Sequence, residues 1–163
     1  MGEVPLNGGG GNDNGNGSTK MDAPPPDCLD LGAVNNAHLH TDDNTDKAGQ
    51  DCLAAGCHLA GNTGLNAPVY SAAGTIYEID RVTPSPGANV RVISMGADDA
   101  IRMVADTGGN FYTSATIQFP AQTNATVCPD SIPMVTPLTS AADGACARAG
   151  CHVVGVTGPI YMP

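Results

Sequence analysis

Gly74-Thr75-Ile76-Tyr77-Glu78-Ile79 and Asn89-Val90-Arg91-Val92-Ile93-Ser94 set β-branched residues in rough alternation with polar ones. Successive side chains of a strand point to opposite faces, so this pattern describes short ribbons that each bury one side. Ala100-Ile101-Arg102-Met103-Val104-Ala105 continues it, and Asp106-Thr107-Gly108-Gly109-Asn110 has the residues of a turn. Phe111-Tyr112-Thr113 and Thr116-Ile117-Gln118-Phe119 read as the next strands. Residues 74–127 are therefore expected to form an antiparallel all-β unit, and the chain to be mainly β.

The segments outside that unit differ in character. Residues 1–26 run through Gly8-Gly9-Gly10-Gly11-Asn12-Asp13-Asn14-Gly15 to Pro24-Pro25-Pro26, a composition too poor in apolar residues to offset its ordering entropy. Residues 27–73 and 128–163 hold the six cysteines and four histidines of the chain. Asp42-Asp43-Asn44-Thr45-Asp46 reads as a solvated acidic loop. It lacks the Gly and Glu of a calcium loop, having Lys47 and Leu53 instead. The formal charge of −10, with six basic residues, argues against nucleic acid and anionic lipid. No apolar run approaches the length of a membrane span.

Two stretches read almost alike: Cys52-Leu53-Ala54-Ala55-Gly56-Cys57-His58 and Cys146-Ala147-Arg148-Ala149-Gly150-Cys151-His152. A short helical turn is expected through Leu53–Cys57. Covalent attachment of a c-type haem needs two thiols to reach two vinyl groups, and a His directly after the second thiol to ligate iron. The common spacing leaves two residues between the cysteines, whereas four stand here. Disulfide bonding gives the His no role, and the repetition of Ala-Gly-Cys-His is then unexplained. Zinc is the third reading, but the loop is long for a zinc knuckle and an oxidising compartment works against free thiolates. The expectation is two covalent haems, on Cys52 and Cys57 and on Cys146 and Cys151, with His58 and His152 as proximal iron ligands.

His38 and His40 remain, separated only by Leu39. In an extended segment residues i and i+2 face one side, about 7 Å apart, so this pair is expected to supply the distal ligands. Met95, Met103, Met134 and Met162 are the other sixth-ligand candidates, and Met103 in its strand pattern is most simply core. Cys28 and Cys128 are left over and would form one disulfide. The open alternative pairs Cys28 with Cys52 and Cys128 with Cys146, leaving single-thioether haems. With no Trp and few aromatics, the chain is poor in bulky core residues, a lack that two porphyrins would make good. Asn16-Gly17-Ser18 and Asn124-Ala125-Thr126 are formal glycosylation sequons.

The motifs, and the use of the longer Cys-x4-Cys-His loop, resemble those of secreted multihaem c-type cytochromes, in which haem motifs flank β-modules. The phrasing from Gly74-Thr75-Ile76-Tyr77 to Gly108-Gly109-Asn110-Phe111-Tyr112 resembles the carboxypeptidase regulatory-like or transthyretin-like sandwich. That resemblance implies a small Greek-key β-sandwich, here flanked by two loop-rich haem-binding segments, and a scaffold rather than a catalyst.

The function expected is an extracellular or cell-surface dihaem electron carrier, with the periplasm as the other oxidising compartment, and its export signal already removed. Other cytochromes or extracellular electron acceptors would be its partners. Head-to-tail contacts through the N-terminal tail and open strand edges would build a homopolymer, a filament able to conduct. Two rivals stand against it: a disulfide-stapled adhesion or matrix module without cofactor, and a haem enzyme or gas sensor with an open iron site. No catalytic constellation stands out in the sequence.

Overall fold

The computed structural model describes residues 45–64, 66–152 and 158–162. Its organising element is a strand that opens on four small residues, Ala72-Ala73-Gly74-Thr75. β3 (Ala72–Tyr77) is buried along its whole length. It pairs antiparallel with β6 (Asn110–Thr113), from Ala72 opposite Thr113 to Thr75 opposite Asn110. Its other edge pairs in parallel with β9 (Ile160–Tyr161), Ile76 opposite Ile160. A second, antiparallel sheet runs in the order β5 (Ile101–Val104), β4 (Asn89–Ser94), β7 (Ala121–Val127), β8 (Asp130–Pro133). A ribbon of β1 (His58–Leu59) and β2 (Asn62–Thr63) lies directly after the first Cys-x4-Cys. The chain is mainly β, as expected.

The two larger sheets share one core. Ile76 and Phe111 from the first meet Val90, Val92, Met103 and Ala125 from the second, with Ile117, Leu138 and Met162 filling between. Ile76 and Met162 are almost wholly excluded from solvent, and burial of side chains of this size stabilises by about 1.5–3 kcal/mol each. β8 and β9 lie in the segment 128–163, so that segment completes both sheets as well as carrying the second motif.

Several expected elements differ in the structure. β4 spans the residues read from the sequence, but Thr116–Phe119 is not a strand. Pro120 follows it without an N–H to donate, and the ladder begins at Ala121, which exchanges backbone hydrogen bonds with Leu138. Ile117 still reaches the core. The strand that replaces it, β7, is polar in sequence and buried from Ala121 to Thr126. Its side chains satisfy one another: Asn124 Nδ2 donates to Ser131 Oγ at 2.7 Å, and Thr126 Oγ1 donates to Asn124 Oδ1 at 2.7 Å. Asn124, 2% exposed, is therefore closed to glycosylation in the folded protein. In place of a helical turn, residues 51–57 form successive i→i+3 turns, with Ala54 N–H donating to Asp51 O and Cys57 N–H to Ala54 O.

Asp46 is not in a solvated loop; it is half-buried and tied to β6. Asn110 Nδ2 donates to Asp46 Oδ1 at 2.8 Å, and Asn110 Oδ1 accepts from the Thr75 hydroxyl at 2.8 Å. Thr75 Oγ1 in turn accepts from Gly49 N–H at 2.8 Å. One buried amide thus staples the start of the first motif segment to the sandwich. The other acidic residues of that stretch, Asp42 and Asp43, lie outside the described residues, as does the 1–26 tail.

Asn110→Ala removes both arms of that staple and leaves Asp46 and Thr75 short of a partner. A loss of about 1–3 kcal/mol is expected, read as a lower urea midpoint, together with faster proteolysis between residues 46 and 52. An unchanged midpoint would show that the staple contributes nothing.

Candidate functional site

The two Cys-x4-Cys-His stretches fold in the same way. In the first, His58 N–H donates to Cys52 O at 3.0 Å; in the second, His152 N–H donates to Cys146 O at 2.9 Å. Ala54 N–H to Asp51 O at 3.1 Å is matched by Arg148 N–H to Ala145 O at 3.1 Å, and Cys57 N–H to Ala54 O by Cys151 N–H to Arg148 O, both at 3.0 Å. The first thiol of each pair approaches the carbonyl two residues before it, Cys52 to Gln50 at 3.6 Å and Cys146 to Gly144 at 3.5 Å. Gly56 and Gly150 hold φ of 83° and 89°. A side chain at either would meet nothing within 4 Å, so the left-handed backbone rather than space calls for glycine there. The four-residue loop is thus a closed, repeated conformation that brings each His back over its first Cys.

Both motif segments are brought to β3. Ala145 bridges Ala73, and Cys146 N–H donates to Ala73 O at 3.1 Å. Leu53, Tyr70, Ala73 and Ala145 form a small cluster with Cys52 at its margin. Cys146 lies over Gly74, where a Cβ would fall 2.9 Å from the Cys146 Cβ and 2.8 Å from the Phe111 ring. The second segment is positioned by the 3₁₀ turn Ala141–Gly144, entered through Asp143. Asp143 Oδ2 accepts from Thr139 N–H, Thr139 Oγ1, Ser140 N–H and Ser140 Oγ. Those bonds, the Thr139 ones foremost, hold its carboxyl below the ordinary range.

The four motif thiols are free, and Cys128 is disulfide-bonded. The alternative pairing of Cys128 with Cys146 is therefore not formed. Cys28, the expected partner of Cys128, lies outside the described residues. Burial pushes the Cys52 thiol up to about 11, with Asp51 adding to the effect. Cys146 keeps some exposed surface, yet its dense surroundings push its thiol up to about 12, and neighbouring Cys151 and Cys52 add to that. Among the described residues no three His, Cys, Asp or Glu converge as a metal cluster.

The histidines are held by defined contacts. His58 is buried, and its Nδ1 lies 2.8 Å from Pro68 O. A carbonyl only accepts, so Nδ1 carries the proton and the neutral ring has its lone pair on Nε2, the form that ligates a metal through Nε2. Tyr70 stacks on His58 at 4.2 Å, and Tyr112 on Tyr70 at 4.7 Å. Burial lowers the His152 pKa, partly opposed by a hydrogen bond to the Gly158 backbone. Each His is thus secured by the chain that returns after it. Pro68-Val69-Tyr70 and Pro159-Ile160-Tyr161 are the returning stretches, a second level of the repeat that marks the supporting residues in the sequence.

The expected distal ligands, His38 and His40, lie outside the described residues. Of the methionine candidates, Met95 is exposed, Met162 is buried in the shared core, and Met103 and Met134 line a cavity that Cys146 and His152 also line. No protein-family model, curated protein or solved structure matches this chain.

The thiols should differ in reactivity before anything is attached to them. Iodoacetamide at neutral pH is expected to label exposed Cys57 of the folded, haem-free chain ahead of Cys52 and Cys146. Labelling of the slow pair should follow the thiolate fraction, rising toward about 11 for Cys52 and about 12 for Cys146. Peptide mapping that finds all four equally labelled would contradict this enclosure.

Proposed function

We propose that this chain is a secreted dihaem c-type cytochrome that transfers electrons and turns over no substrate. The observation that carries the reading is the motif folded twice alike, each copy with two free thiols and a His anchored by the following backbone. Haem c would be held by Cys52 and Cys57 with His58, and by Cys146 and Cys151 with His152. Bound there, it would supply one-electron chemistry at iron between the ferric and ferrous states.

The chain's own part is support. Pro68 O fixes the His58 tautomer, and Tyr70 fixes the ring plane. Burial lowers the His152 pKa, which favours the neutral form that ligates. Cys52 and Cys146 flank the same stretch of β3, so two groups attached there would be neighbours, as electron transfer between them requires. His38 and His40 remain the proposed distal ligands, and Cys28 with Cys128 the proposed disulfide. The sandwich, in this reading of the carboxypeptidase regulatory-like kind, serves as the scaffold. Free motif thiols speak against the stapled adhesion module, which would use them in bridges.

No helix among the described residues is long and apolar enough to cross a membrane. The proposed location is extracellular or at the cell surface, with other cytochromes or extracellular acceptors as partners. A head-to-tail homopolymer through the 1–26 tail belongs to the same proposal.

Exported from a host that attaches haem c, the protein is expected to exceed its polypeptide mass by two haems after denaturation, and to show low-spin bands. A bare chain mass returns the stapled module; a high-spin spectrum returns the open-site enzyme or sensor. His38→Ala and His40→Ala should each turn one haem partly high-spin. Spectra that stay fully low-spin in both would move the sixth ligand elsewhere.

Deleting residues 1–26 should give monomers or short oligomers that keep both haems, measured by light scattering and denatured mass. Full-length protein that stays monomeric at high concentration would end the polymer proposal while leaving the carrier.

A further inference from the structure

Between the two larger sheets lies a cavity of about 250 Å³, and Cys146 and His152 form part of its wall. Native interiors hold few voids larger than a water molecule, and sheets that pack face to face normally interdigitate their side chains. This void exists because the facing positions are small: Ala72 on β3, Val90 and Val92 on β4, Thr123 and Ala125 on β7. Leucine or phenylalanine at one or two of them would close it. The wall is overwhelmingly apolar, and its mouth is the stretch Ile132–Val135, where Ile132 is 39% and Val135 95% exposed. Ile132 and Val135 thus set exposed apolar surface beside an apolar opening.

We infer that the cavity seats the apolar edge of the haem attached at Cys146 and Cys151, so that the sandwich interior is itself half of the second haem site. The inference rests on the dihaem reading above and goes beyond it, since the sandwich was there only a scaffold. The occupant is named by the tether. Cys146, the first attachment thiol, and His152, the iron ligand, both face this space, and a porphyrin bonded to one and ligated by the other has its nearest apolar shelter between the sheets. The first motif does not line this cavity; its His58 lies against the Tyr70–Tyr112 stack instead. The two haems would therefore differ in burial, and with it in reduction midpoint, the more buried one favouring the neutral ferrous form.

Two variants test this in the full-length, exported, haem-loaded protein. Ala125→Phe fills the cavity, and Val135→Asp places a carboxylate at its mouth without touching the core. Both should keep two haems by denatured mass. In each, the midpoint of one haem should fall in a spectroelectrochemical titration while the other stays in place. The midpoint that moves should be the one missing from a Cys146→Ala/Cys151→Ala chain. Should Ala125→Phe fail to fold, the Val135→Asp titration decides alone. Midpoints equal to wild type, or a shift confined to the haem at Cys52 and Cys57, overturn the assignment and leave the carrier standing. A wild-type chain without haem overturns both.

Discussion

Strand β3 carries the rest of the structure because the small residues of its first half let its neighbours approach. It pairs with β6 on one side and β9 on the other, accepts a hydrogen bond from Cys146 at Ala73, and lies beneath the Cys146 side chain at Gly74. The first motif segment is fixed to its other half through Thr75 and Asn110. A β-branched residue at position 74 would collide with the Phe111 ring and the Cys146 Cβ at once. Overpacking of that kind costs about 1–3 kcal/mol, and here it would also push one motif away from the other. The Ala-Ala-Gly-Thr run is weak strand material by composition, and its residues are chosen for what they let approach.

The mainly β architecture was legible because β4 and β5 alternate apolar and polar residues in register with the pleat. β7 was not legible. Ala121-Gln122-Thr123-Asn124-Ala125-Thr126 has the polarity of a surface loop, and it is buried only because its amides and hydroxyls bond to each other and to Ser131 and Met134. Periodicity cannot report such pairing, since it depends on which side chains the fold brings within reach. The neighbouring Thr116–Phe119 has the better strand composition, yet Pro120 ends it before it can pair. Asp46 misled in a similar way, as an acidic residue whose partner, Asn110, is far off in the sequence.

The candidate site was legible as a pattern of Cys and His, and its support was only partly so. His58 and His152 stand out in a chain with four histidines, whereas Pro68, Tyr70 and Tyr112 are ordinary residues until the fold gathers them. The repeat of Pro-Val-Tyr and Pro-Ile-Tyr was the available signal. The two copies then diverge, Tyr70 stacking on its histidine while Tyr161 lies under the Arg81 guanidinium at 4.3 Å. The small residues lining the sandwich cavity give no signal in one sequence, because a small residue in a strand is equally the mark of tight packing.

The enclosure of Cys146 has a consequence for timing. A thiol pressed against β3, with its pKa pushed up to about 12, is poorly placed to be joined to a large planar substrate in the folded chain. If haem is attached there, attachment has to come first and docking onto the strand second. The order of the chain suits that sequence of events. β9, which pairs with β3, lies beyond the second motif, so the three-stranded sheet stays incomplete until residues 160–161 have emerged. Synthesis would thereby hold open an interval in which both thiols of the second motif remain accessible. A variant whose sheet closed before attachment would leave the second motif bare.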